Sequence, residues 1–106
     1  MGESIAMLVF AALLVFIGVE NVKGNISSIH WYNRRRITEE TRPKYGKLMG
    51  SATLIFAGGL TLFAILNMIS QEKVVTLIGV SIVLISAIVC VGLMLYAQIK
   101  YNKGIF

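Results

Sequence analysis

Few side chains in this sequence are able to do chemistry, and they are scattered. Glu20 closes the first apolar stretch and stands next to a basic segment. A carboxylate in that position is expected to pair with Lys23 or with the arginines that follow. The alternative is a proton-coupled site, because ionisable groups near the membrane core often mark pathways. Asn67 is the strongest polar residue in the two longer apolar stretches. It is expected to reach headgroup water, with a hydrogen bond to a neighbouring helix as the alternative. His30 is the only histidine, without Cys, His or Asp partners at ligand spacing, and reads as an interfacial ring. Cys90 is the only cysteine, so it forms no intrachain disulfide and reads as a small packing residue. No nucleophile–base–acid set, metal cluster or phosphate-cradling glycine loop is present. Neither an enzyme nor a cofactor is expected.

The elements that would carry these residues are membrane spans. The chain has 106 residues, 57% hydrophobic and 14% charged. A soluble domain of that size cannot bury so much apolar surface. The apolar residues also run in long blocks and do not alternate with polar ones. The blocks predict an all-α integral membrane protein with three transmembrane helices at about 4–22, 48–69 and 74–98. Residues 1–106 form one membrane domain on this reading, because no part has a core of its own. Glu3 and Glu20 fall at the two ends of the first span. A secretory signal peptide fits that stretch poorly, since its start carries an acid and no Lys or Arg. Ser70-Gln71-Glu72-Lys73 is a tight turn that makes the second and third spans an antiparallel hairpin.

Residues 23–47 form the basic loop. Lys23, Arg34, Arg35, Arg36, Arg42, Lys44 and Lys47 lie in it, Lys100 and Lys103 follow the third span, and Lys73 alone lies in the hairpin turn. The loop and the C-terminus share a side in a three-span chain. The bias of Lys and Arg toward the cytoplasm therefore predicts a cell-membrane protein with its N-terminus outside and its C-terminus inside. Within the loop, residues 27–36 read as a short helix on the inner membrane surface. Trp31 and Tyr32 sit at headgroup depth there. Arg34, Arg35 and Arg36 are candidates to bind anionic lipid or an acidic partner, although a topology signal alone also explains them. Thr38 is placed to cap the turn through Glu39-Glu40-Thr41. Pro43 suits the start of a helix, where its missing N–H is no loss, and the helix can run from there into the second span. Tyr45, beside Lys44 and Lys47, reads as an interface anchor.

Packing in lipid depends on close approach and interhelical hydrogen bonds. Small residues recur at steps of seven: Ser4, Ala11 and Gly18, then Gly50, Ala57 and Ala64, then Gly79 and Ser86, continued by Cys90 and Ala97. A sevenfold step keeps a stripe on one face of a left-handed bundle. Gly58-Gly59, near the middle of the second span, is expected to make close helix contact.

The elements Tyr32-Asn33, Thr38-Glu39-Glu40, Lys44-Tyr45 and Lys47-Leu48-Met49-Gly50 resemble an uncharacterised family of small bacterial membrane proteins. Its pattern is one span, a basic loop with Tyr-Asn and Ser/Thr-x-Glu-Glu, then two spans. The three consecutive arginines and Pro43 depart from it. More distantly, the layout is similar to the membrane half of SdpI-type immunity proteins, a resemblance that implies a protective role and no catalytic residue. The expected function is binding, as a non-enzymatic accessory, immunity or stress-response component. Its partners would be membrane lipids, anionic ones included, and a second copy or another membrane protein, without nucleic acid. The alternative is a protomer of an oligomeric transporter or channel for a small solute or protons, with Glu20, Asn67 and Gly58-Gly59 lining a shared path.

Overall fold

The computed structural model describes residues 2–26 and 37–102. Three helices account for most of them: α1 (Gly2–Val22), α2 (Arg42–Ile69) and α3 (Lys73–Tyr101). All three are long and apolar enough to cross a membrane, and there is no strand among the described residues. At 1.5 Å per residue, the 21 residues of α1 reach about 31 Å, the thickness of a hydrocarbon core. The longer α2 and α3, at 28 and 29 residues, extend past it toward the headgroups. The protein is an all-α membrane protein, with three helices among the described residues.

Local chemistry sets the helix ends. α1 stops at a Schellman turn in which Gly24 takes φ 100°. The Gly24 and Asn25 amides donate to the Asn21 and Glu20 carbonyls, each at 2.9 Å, which satisfies the last carbonyls of the helix. Ahead of α2, the Thr41 amide donates to Thr38 Oγ1 at 3.2 Å and the Thr38 amide to Thr41 Oγ1 at 3.1 Å. This reciprocal pair caps the turn through Glu39 and Glu40, and Pro43 sits in the first turn of the helix. The α2–α3 connection is tightened by the Glu72 amide donating to Ser70 Oγ at 3.2 Å.

α2 lies between its neighbours and packs along both. Two seams result, each lined by small residues. On the α1 side, Gly18 and Gly50 bring two backbones together. A Cβ on Gly50 would strike the Gly18 carbonyl oxygen and would lie 2.7 Å from the Val22 nitrogen. Gly46, four residues earlier, meets the Asn21 carbonyl in the same way. Helix spacing puts Ala57 and Ala64 on this face as well; both are fully buried, as are Ser4 and Ala11 opposite. On the α3 side, Gly59 receives Ser86, and Gly79 receives the Phe63 ring. Cys90 and Ala97 are buried farther along α3.

Gly58 departs from the expected helix contact. It is exposed, and nothing lies within 4 Å of a Cβ built there. The reason is angular. Successive residues turn by about 100°, so Ala57 and Gly59 fall on two nearly opposite faces. A helix held between two neighbours uses both of those faces, and the residue between them points outward.

The outward faces of α1 and α3 remain apolar, with Phe16, Leu77, Ile88 and Ile99 among their exposed residues. Lipid accommodates such faces and water does not.

Candidate functional site

The antiparallel arrangement sorts polar groups to the two ends. At the hairpin end, Asn67 lies three residues beyond Ala64, on the face turned toward α1. Its Nδ2 donates to Ser4 Oγ at 3.0 Å. Asn67 thus bonds a neighbouring helix, which replaces the expectation that it reaches headgroup water. Interhelical hydrogen bonds in membranes contribute about 0.6 kcal/mol on average. Asn67→Ala is therefore expected to lower stability by about 0.5–1 kcal/mol, read from denaturant unfolding in micelles, with Ser4→Ala giving the same loss. A combined loss equal to the sum of the two would show that the groups do not interact.

Between the ends, the hydroxyls are turned back on their own helices. Thr53, Thr61, Ser81 and Ser86 each donate to the carbonyl four residues earlier, at 2.7–3.0 Å. None of these bonds crosses a seam.

At the basic end, Glu20 stays close to its own helix terminus. Its carboxylate lies 3.9 Å from Lys23 Nζ and accepts from Asn25 Nδ2 at 3.2 Å. Asn21, the next residue, is buried and donates through Nδ2 to the Asn25 carbonyl at 2.9 Å. Beneath this turn lies a small core of Ile26, Tyr45, Met49 and Ala97, with Ile37, Leu48, Met94 and Tyr101 against it. Tyr45 has no exposed surface, and its hydroxyl accepts from Gln98 Nε2 at 2.8 Å. The headgroup position expected for Tyr45 is thus corrected to a buried one. The helix begins before the apolar stretch does, so Tyr45 sits on a seam of α2. The Gln98 Oε1 atom is buried without a hydrogen-bond partner among the described residues.

These residues carried a signal that the small-residue pattern on the α1 side obscured. Tyr45, Ala52 and Gly59 also recur at steps of seven and mark the second seam of α2. Gly46 and Gly50 form a Gly-x-x-x-Gly pair, which lets helices approach closely.

A groove of 360 Å³ opens beside the core, lined by Lys44, Lys47, Leu48, Ser51, Tyr96, Lys100 and Tyr101. It joins the start of α2 to the end of α3. Lys100 Nζ donates to Tyr96 OH at 3.1 Å and lies 5.4 Å from the ring centres of both Tyr96 and Tyr101. No three of His, Cys, Asp or Glu come together as a metal site among the described residues.

His30, Trp31, Tyr32, Arg34, Arg35 and Arg36 lie outside the described residues. Apart from Gly58, which faces outward, the remaining expected residues divide among three places. Gly50, Ala57, Ala64, Gly79 and Ser86 lie along the seams, Asn67 is at the hairpin end and Glu20 is at the basic end. The chain matches no family model, no curated protein and no solved structure.

Proposed function

We propose that this membrane protein acts by binding, as a non-enzymatic accessory, immunity or stress-response component. What supports this reading above all is the placement of its polar groups. A path for ions or polar solutes needs groups that face a shared space through the membrane. Here the mid-span hydroxyls bond their own helices, and the buried amides lie at the ends. The outward faces of α1 and α3 are long, apolar and free to meet a second copy or another membrane protein. The distribution of Lys and Arg favours the basic end on the cytoplasmic side, with the N-terminus outside.

Two measurements test this. Light scattering of the detergent-purified protein, combined with crosslinking in the native membrane, is expected to find an oligomer or a stable membrane-protein partner. A strictly monomeric particle with no crosslinked partner would count against binding. Liposomes containing the protein are expected to leak protons no faster than empty ones. A protein-dependent flux abolished by Glu20→Gln would establish the transporter or channel reading instead.

A further inference from the structure

The acidic residues are distributed in a way that leaves three lysines uncompensated. Of the five side-chain carboxylates, Glu3 and Glu72 lie at the hairpin end, and Glu40 is exposed in the turn before α2 and makes no ion pair among the described residues. Glu20 pairs with Lys23 and Glu39 with Arg42. Lys44, Lys47 and Lys100 line the groove at the basic end, and none of them pairs with a carboxylate among the described residues.

The groove is layered along the membrane normal. Lys44, Lys47, Leu48 and Ser51 follow one another down one face of α2 at helical spacing. Seven residues of helix carry the lining from an ammonium at Lys44 to Ser51 about 10 Å deeper. Opposite, Tyr96 and Lys100 stand one turn apart on α3. The two tyrosine rings hold the Lys100 ammonium through one hydrogen bond and two cation–π contacts. Cations are thus gathered at one end of the groove, while its deeper part faces toward the hydrocarbon. A diacyl phospholipid with net negative charge has the same layering, and basic pockets between transmembrane helices suit such headgroups. A soluble anion would use only the upper part, and a zwitterionic lipid would present its own cation to the lysines.

We propose that the groove between the start of α2 and the end of α3 binds one anionic phospholipid, with its phosphate held by Lys44, Lys47 and Lys100. The site stands whether or not the outward faces of α1 and α3 meet a protein partner.

The test is native mass spectrometry of the detergent-solubilised full chain titrated with phosphatidylglycerol. Phosphatidylcholine with the same acyl chains and free glycerol phosphate serve as comparison ligands. One phosphatidylglycerol is expected to be retained, with both comparison ligands bound at least tenfold more weakly. Each lysine near a membrane surface is worth about a fivefold change in affinity. Lys44→Gln, Lys47→Gln and Lys100→Gln together should weaken phosphatidylglycerol by about a hundredfold. Equal retention of phosphatidylcholine would reduce the site to an ordinary lipid contact, and equal binding of glycerol phosphate would make it a soluble-anion site. Either result overturns the proposal, as does an unchanged affinity in the triple variant. If the triple variant does not fold, Lys47→Gln alone decides: about a fivefold loss supports the site, and no loss overturns it.

Discussion

Gly50→Leu is expected to detach α1 from the α2–α3 hairpin while leaving all three helices helical. The Gly50 Cα faces the backbone of α1. A Cβ there would meet the Gly18 carbonyl oxygen, the Val22 Cγ2 methyl and the Val22 amide nitrogen, and two of these three are backbone atoms that no side-chain rotation can move. Overpacking of a seam usually costs about 1–3 kcal/mol, and more where side-chain rotation gives no relief. A backbone neighbour offers no such relief, so the loss here should reach about 3 kcal/mol or beyond. Lipid also holds separated spans in place, so an unpacked α1 remains inserted and helical.

The Asn67–Ser4 bond provides a direct readout of that detachment. In a Cys90→Ala background, Ser4→Cys with Asn67→Cys should be joined in high yield by a short thiol-reactive crosslinker, because the parent side chains meet across the seam, Asn67 Nδ2 lying 3.0 Å from Ser4 Oγ. Adding Gly50→Leu should abolish most of the crosslinking, with far-ultraviolet circular dichroism unchanged. Gly58→Leu, placed where nothing lies within 4 Å, should leave the yield intact. Full crosslinking in the Gly50→Leu protein would refute the close backbone crossing.

The contrast between these two glycines shows how far the sequence could be read. Hydrophobic block length located the three spans, because the cost of unpaired backbone groups in lipid leaves few alternatives. Sevenfold recurrence located one stripe on each helix. It could not reveal that α2 has two neighbours, and that fact decides the fate of Gly58 and Gly59. Whether a residue at the border of a span faces water or protein depends on where the helix begins. α2 starts at Arg42, several residues before its apolar block. That start is legible at Pro43; the lysines beside Tyr45 point it to the headgroups, whereas its register with Ala52 and Gly59 carries it inward. The lysine groove was illegible for a related reason. Its two halves are separated by the whole α2–α3 hairpin, and no local pattern joins Lys44 to Lys100. Glu20, by contrast, pairs with Lys23 three residues away, as a purely local reading can foresee.

Tyr45→Ala should be the most damaging change at the basic end. The ring is fully buried among Ile26, Met49 and Ala97, which come from the segment after α1, from α2 and from α3. Removing a buried aromatic ring typically costs about 3–5 kcal/mol through lost contacts and the cavity left behind. Tyr45→Phe keeps the ring and removes only the hydroxyl that accepts from Gln98. The Gln98 amide, whose Oε1 already lacks a partner among the described residues, then has neither end satisfied by them. The expected loss is about 1.5 kcal/mol, toward the upper end for a single interhelical bond. Gln98→Leu in the Tyr45→Phe protein should recover most of that loss, because it removes the orphaned amide. Unfolding midpoints in a denaturant titration supply the four corners of this cycle, and additive losses would show that the two side chains are not coupled.

The same residue links stability to the groove. Tyr45 holds the end of α3 against the start of α2, and Lys44 and Lys47 are separated from Lys100 by that seam. Tyr45→Ala should therefore weaken phosphatidylglycerol even though Tyr45 does not line the groove, whereas Tyr45→Phe, which keeps the ring in place, should bind the lipid as the parent does. Equal lipid affinity in all three proteins would mean that the groove keeps its shape without the core beneath it.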